Sequence, residues 1–511
     1  MAWLISFTLI FLICGNVINA YPMPKQVFTR QRFYWKLRRQ LMMDEKRHSL
    51  GGELKLNPAE FIANRVLMSF KNREIYDGFK NNTFLPSRNF LEVISKIEKS
   101  EVFKILREMP KGAVLHVHES SIGSPDYKLN NVSYRENLYV CDQNDNLQLK
   151  FFDNPDKTCD WRLLSEIRQD TEQADAINKR IRRSLTMIVE NPKNVYDTVD
   201  KAWEKFNSIF TFMHSWLSYR PVFEDVYYHA LEELYEDNVM YSEIRSTLSS
   251  IYDFDRVYGT LEMTGILKNV TDRFLRDHPD FLGVKIIYAP KRSINETEVN
   301  EYLRTLVQLI ELYPNFVIGF DLVGQEDKGE PLIKFANQLN SVNLNIKFFF
   351  HAGETNWNGI STDSNLFDAL LLNTKRIGHG YALTKHPLLW KLVQQLNVAV
   401  EICPISNQVL SLVQDMRNHP ATALFASGSP IVISSDDPGL WDVKGLSYDF
   451  YEAFMGLMSA NSDLRSLKQL AINSLIYSGM NDQEKNYALA QWQAKWDAFV
   501  NKLACSKHKS S

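Results

Sequence analysis

The chain has 511 residues, enough for one large domain with extensions or for two domains. Its 58 Lys and Arg against 61 Asp and Glu leave a net charge of −3, without the basic excess of a nucleic-acid binder, so no nucleic-acid partner is expected. At 45% apolar and 12% aromatic residues, global disorder is excluded as well.

Residues 1–20 have the form of a secretory signal peptide. Ala2 to Cys14 is mostly apolar, and Val17-Ile18-Asn19-Ala20 offers a small-residue exit with cleavage near Ala20. The first residues lack a charged side chain, and an uncleaved anchor is the alternative. The run is short for a membrane span, so a secreted, extracellular chain with no transmembrane anchor is expected. Asn81, Asn131, Asn269 and Asn295 open sequons and are the expected glycosylation sites. Residues 21–109 form a helical N-terminal extension: Phe61 to Met68 and Phe90 to Ile97 carry helical apolar spacing, with a break at Pro86 and Ser87. Such arms often pack on a partner subunit.

From Pro110 onward eight short apolar runs recur: Ala113 to His118, Val239 to Arg245, Leu282 to Tyr288, Val317 to Val323, Lys347 to His351, Arg376 to His379, Val398 to Cys403 and Pro430 to Ser434. Helical patterns lie between most of them. This is an α/β sequence with a covered parallel sheet, and eight is the count that closes a (β/α)8 TIM barrel, here over residues 110–503. An open doubly wound sheet is the rival, but no Gly-rich nucleotide loop follows the first run. The gap after the first run is too long for one crossover, and an insertion at 125–184 accounts for it. Cys141 and Cys159 bracket a short polar stretch inside that insertion, where an oxidising compartment favours a disulfide. Cys403 is expected as a buried thiol and Cys505 as a free one; with no CxxC pair, a cysteine-rich zinc site is out. Residues 504–511 form a basic tail, Lys507-His508-Lys509 among them.

The chain has 11 histidines, and three of the eight runs end in one. His116 and His118 alternate around Val117, so on a strand both imidazoles face one side. His351 ends a very apolar run and is followed by Ala-Gly-Glu354; His379 stands between glycines; the eighth run delivers adjacent Asp436 and Asp437. On a barrel all of these lie at C-terminal strand ends, where barrel active sites are built. His116, His118, His351 and Asp436 make a three-nitrogen, one-oxygen shell suited to Zn2+. A divalent ion would also explain two adjacent aspartates, and Glu354 and His379 are then spare acid–base groups beside it. The expectation from the residues is a metal-dependent hydrolase.

These motifs, with Met109-Pro-Lys-Gly-Ala113, Gly319-Phe-Asp-Leu-Val-Gly324, Glu401-Ile-Cys-Pro-Ile-Ser-Asn407 and Gly445-Leu-Ser-Tyr-Asp-Phe450, resemble the adenosine deaminases of the amidohydrolase superfamily. The similarity is closest to the secreted branch, adenosine deaminase 2 or the adenosine deaminase-related growth factors, and runs from about residue 30 to 500. It implies a dimerising helical extension, hence a homodimer, and a zinc-containing barrel that converts adenosine, and 2′-deoxyadenosine, to inosine and ammonia. It also implies that Glu354 protonates purine N1, that His379 is the base and electrostatic partner of the attacking water, and that Asp437 orients that water and reaches N7. By the same resemblance the Gly324 backbone meets N3, and Trp203 and Trp357 lie near the nucleoside. Glu119 stands where the branch has an aspartate close to the ribose, which displaces the charge by about one bond length. The alternative is a growth-factor-like protein that uses the insertion to bind a cell-surface receptor or glycan, a function that could coexist with adenosine depletion.

Overall fold

The helix Pro58–Asn81 begins where its sequence directs. Asn57 accepts a hydrogen bond from Glu60 N at 2.8 Å while the Glu60 carboxylate accepts from Asn57 N at 2.9 Å, and Pro58 occupies the first helical position. The computed structural model describes residues 31–143, 146–342 and 346–505. The expected signal peptide at 1–20, Asp145 and the stretch Lys507-His508-Lys509 lie outside these residues. The chain divides into two units, residues 1–48 and 49–511. The described part of the first is a single helix, Gln31–His48. The division falls after His48 and not after Met109: the helices Pro58–Asn81, Phe90–Ile97 and Glu101–Glu108 belong to the larger unit. There Glu60 takes hydrogen bonds from Trp496 Nε1 and Lys468 Nζ, both on C-terminal helices.

Eight parallel strands form the centre of the larger unit. They are β1 (Gly112–His118), β2 (Val239–Ser246), β3 (Val284–Tyr288), β4 (Val317–Phe320), β5 (His351–Ala352), β6 (Arg376–His379), β7 (Ala399–Ile402) and β8 (Ile431–Ile433). Pairing gives two four-stranded sheets, β1 to β4 and β5 to β8, each in sequence order. Two seams join them. At one, His118 N donates to Asp436 O and Asp436 N to His116 O, each at 3.0 Å; at the other, Phe320 N donates to Lys347 O and Phe349 N to Phe320 O, again at 3.0 Å. The sheet therefore returns on itself as a ring, and the barrel expected from the eight runs is the fold, not the open sheet.

The strands are shorter than the apolar runs in places, for identifiable reasons. The fourth stops at Phe320 because the Asp321 carboxylate takes Leu322 N at 2.7 Å and His351 N at 2.9 Å in place of ladder bonds. A helix at Thr260–Asp277 has no counterpart among the elements expected from sequence; Gly265 within it lies against Tyr313, and its buried face carries Met263, Leu267, Val270 and Phe274. The insertion is a small antiparallel sheet, Leu138–Gln143 with Asn146–Phe151 and Arg162–Leu163, followed by the helix Thr171–Leu185. Cys141 and Cys159 are disulfide-bonded across it, with Cα atoms 6.2 Å apart. The last helix, Asp482–Cys505, reaches two residues into the stretch expected as a tail. Cys403 is buried and Cys505 exposed, both free. No helix among the described residues is long and apolar enough to cross a membrane.

Candidate active site

The strand ends bring His116, His118, His351 and Asp436 together: one ligand atom from each lies within 4.8 Å of all the others. His116 Nε2 is 3.0 Å from His351 Nε2 and 3.2 Å from Asp436 Oδ1, and His118 Nε2 is 3.1 Å from the same oxygen. The outer nitrogens of two of these rings are spoken for. His116 Nδ1 faces Glu401 Oε2 at 2.8 Å, and His351 Nδ1 faces Asp321 Oδ2 at 2.6 Å. Burial pushes both carboxyls up, but His351 and Arg245 hold Asp321, and Arg245 and Arg376 hold Glu401, well below the usual carboxylate range. As acceptors, they place a hydrogen on each Nδ1. Burial also drives His351 down to about 3, so its ring is neutral and its Nε2 carries a lone pair.

An imidazole lone pair pointing at a second ring nitrogen 3.0 Å away is tolerable only with a proton or a cation between them. Asp436 Oδ1 converges on the same point and has no hydrogen-bond partner, although it is buried. Three imidazoles and one carboxylate, two of the rings backed by carboxylates, are a donor set that could hold a divalent cation. Arg245 ties the backing together. It donates to Asp321 at 2.8 Å, to Glu401 at 2.7 Å, and to the Leu115 and Phe349 carbonyls at 3.0 Å, just before the two histidines. Sequence reading missed Arg245, Asp321 and Glu401 in this role, although the last two stand inside its quoted motifs. Cys403 also comes within reach of His116, His379 and Asp436, as a second, overlapping set.

The remaining expected groups line the same space. Both His379 and Asp436 have left-handed backbones, φ 59° and 58°, a costly conformation for non-glycine residues that turns each side chain back over the barrel mouth. Glu354 is buried beside His379, 3.6 Å from its Nδ1. Burial first, then the charges of Asp436 and Glu326, raise its carboxyl well above the ordinary value, which favours its protonated form. Glu326, which sequence reading did not single out, clamps the loop that carries it, accepting from Gly353 N at 3.0 Å and Glu354 N at 2.6 Å. Asp437 accepts from Ser121 Oγ at 2.5 Å; burial and the neighbouring Asp436 charge raise it. Gly324 has φ 111°, and a Cβ there would meet nothing within 4 Å, so open space lies before its backbone.

Glu119 follows β1, within a long 3.4 Å hydrogen bond of Ser246 Oγ, and burial pushes it up to about 7. Trp203 is buried edge-on against Phe206, which stacks on Trp441 in the turn after Asp437. Trp357 is 62% exposed on the loop after β5.

Residues 180–494 match the family model described as adenosine deaminase, and residues 12–106 the model for the adenosine/AMP deaminase N-terminal region. An adenosine deaminase of Phlebotomus duboscqi is 46% identical over 468 residues, covering 90% of this chain and 90% of its own. Adenosine deaminase 2 of Sus scrofa is 42% identical over 477 residues, 91% of this chain and 94% of its own, and that of Homo sapiens 40% identical over 476 residues, 91% and 93%. Among solved structures, an amidohydrolase from Burkhoderia ambifaria with bound Zn superposes with a TM-score of 0.56 at 17% identity, covering 79% of this chain and 95% of that one. The Arabidopsis N6-mAMP deaminase gives 0.54 at 17%, covering 76% and 99%, and both share the fold.

Proposed function

The chain belongs to the adenosine deaminase family, on the adenosine deaminase 2 branch of the amidohydrolase superfamily, and from that premise we propose that it is a zinc-dependent hydrolase converting extracellular adenosine, and 2′-deoxyadenosine, to inosine and ammonia. One observation carries the reading: at a single barrel mouth, four convergent donors stand beside a buried carboxyl group, Glu354, 3.6 Å from His379.

His116, His118, His351 and Asp436 would hold the zinc ion. Bound there, zinc supplies Lewis-acid activation of water. The chain's own residues do the rest. Glu354, whose burial favours the protonated form, gives its proton to purine N1 and so removes the charge that addition at C6 would build on the ring. Asp437 orients the attacking water and, once the base is seated, reaches N7. His379 faces the same water, as base or as electrostatic partner. The Gly324 backbone, with open space before it, meets N3. Glu119 approaches the ribose, and Trp203 and Trp357 lie near the nucleoside. The remaining proton of the added water passes from the C6 hydroxyl to the exocyclic amine, which leaves as ammonia while C6 becomes the inosine carbonyl and N1 keeps its hydrogen.

The disulfide in the insertion supports an oxidising compartment and hence secretion, with glycans at Asn81, Asn131, Asn269 and Asn295. The same insertion, a sheet of its own, is the segment we assign to a cell-surface receptor or glycan. Growth-factor-like signalling would then follow from adenosine depletion, and the helical extension would dimerise the chain.

The test is conversion of adenosine to inosine by the purified, zinc-loaded protein, with 2′-deoxyadenosine in parallel and Glu354→Ala as control. Turnover abolished in the control is the expected result. A folded, zinc-bound protein inert on both nucleosides would sink the reading. The two-substrate ratio reports how strictly the region around Glu119 reads the sugar.

A further inference from the structure

A backbone N–H far from the reacting atoms dictates where one hydrogen sits in this site. Ala421 N donates to His419 Nδ1 at 3.0 Å. A backbone N–H cannot accept, so this nitrogen carries a lone pair. The His419 ring is buried, and burial lowers it to about 3, so it is neutral and its hydrogen is on Nε2. That hydrogen needs an acceptor, and the atom 3.0 Å away is Asn407 Oδ1. With its oxygen so engaged, the Asn407 amide turns its NH2 the other way, 3.2 Å from His379 Nδ1. An NH2 group only donates. His379 Nδ1 is therefore the acceptor, and the hydrogen of the neutral ring is left on Nε2, which faces Asp436 Oδ2 at 3.7 Å.

The chain of three bonds is rigid. Asn407, His419 and His379 are each 1% exposed or less. The Asn407 carbonyl is held by Leu412 N and Val413 N at 2.9 and 3.2 Å. The His419 ring packs edge-on against Tyr381, two residues past His379, and the Tyr381 hydroxyl donates to Leu412 O at 2.8 Å. The arrangement also suits Glu354. Its Oε1 lies 3.6 Å from His379 Nδ1, and a lone pair there is compatible with a neutral carboxyl and unfavourable beside an ionised one.

We infer that Asn407 and His419 are positioning residues that hold His379 in its Nε2–H tautomer, so that the ring meets the attacking oxygen as a hydrogen-bond donor, its electrostatic partner and not its base. The identity of that oxygen rests on the deaminase reading; the position of the hydrogen does not.

The decisive variant is Asn407→Asp, nearly isosteric, which replaces the donating NH2 by an acceptor. The ring hydrogen of His379 should then move to Nδ1. Zinc-loaded enzyme carrying 15N-histidine reports the tautomer of each ring by NMR, independently of turnover. The expected results are Nε2–H at His379 in the unaltered protein, and Nδ1–H in Asn407→Asp with kcat lower by about 10²- to 10⁴-fold and KM near its original value. His419→Gln keeps a donor toward Asn407 Oδ1 and should retain the tautomer and most of the rate. A purely structural role would move the melting temperature and leave the tautomer alone. An Nδ1–H ring in the unaltered protein overturns the inference, and so does a relocated hydrogen in Asn407→Asp with kcat unchanged. If Asn407→Asp does not fold, the spectrum of the unaltered protein decides. An Nε2–H ring in a protein without deaminase activity upholds the positioning and removes the deaminase reading instead.

Discussion

Glu354 shows how a single residue gets its chemistry from its surroundings. An ordinary glutamate is ionised at neutral pH; this one is shifted toward its protonated form by burial, with the Asp436 and Glu326 charges adding to the effect. Its capacity to donate is complete below the raised value and is lost as pH rises through it. The rate should therefore show an alkaline limb. Glu354→Gln should lower kcat by about 10²- to 10⁴-fold and abolish that limb, as steady-state rates across pH would show. Asp321 is the opposite case, a carboxylate kept ionised that fixes both the backbone and the Nδ1 of His351. Asp321→Asn should weaken zinc binding by roughly 10- to 100-fold in competition with a chelator, while the fold survives. The histidines and Asp436 were legible because strand alternation and run ends place them. Asp321, Glu401 and Arg245 were not, because an acid or a guanidinium inside an apolar run gives no sign of which ring it backs.

At the scale of elements, the seam between β4 and β5 leaves no room for a side chain at Gly319. A Cβ on Gly319 would lie 2.5 Å from the Lys347 carbonyl oxygen and 2.5 Å from the Phe349 ring. Both neighbours are fixed, one as backbone and one as buried side chain. Gly319→Ala should cost about 1–3 kcal/mol, read as a lower urea midpoint, with activity falling in step as the His351 strand is pushed aside. The strands themselves were legible from their apolar runs to within a few residues. The Thr260–Asp277 helix was not: Gly265 and the sequon at Asn269 interrupt a pattern whose apolar face becomes evident only against its neighbours. The extent of β4 was hidden for a related reason, since Asp321 ends it by bonding to a residue thirty positions away.

For the whole molecule, ring closure is what makes a site. His116 and His351 are 235 residues apart in sequence and 3.0 Å apart in space. A cation that binds only the closed ring stabilises it by mass action, so chelation should lower the melting temperature, and returning zinc should restore it. The sign of the pH effect follows from Asp321 and Glu401, whose folded values are depressed. Their contribution is complete above about pH 5.5, where the unfolded carboxylates are also ionised, and is lost as pH falls toward the folded values. Zinc binding competes with the same protons. The gap between zinc-loaded and zinc-free melting temperatures should thus narrow as the pH is lowered, in a calorimetric series.

By itself the sequence determined the alternation that turns His116 and His118 to one face, the count of eight runs, and the polar residues at the strand ends, all properties of short stretches of chain. Only the tertiary structure decided that the ring closes, which carboxylates back His116 and His351, that Glu354 is buried beside other acids, and that a backbone N–H at Ala421 sets a hydrogen on His379. Each of these depends on groups far apart in the chain, and on a burial that strengthens charge interactions only once the barrel has excluded water.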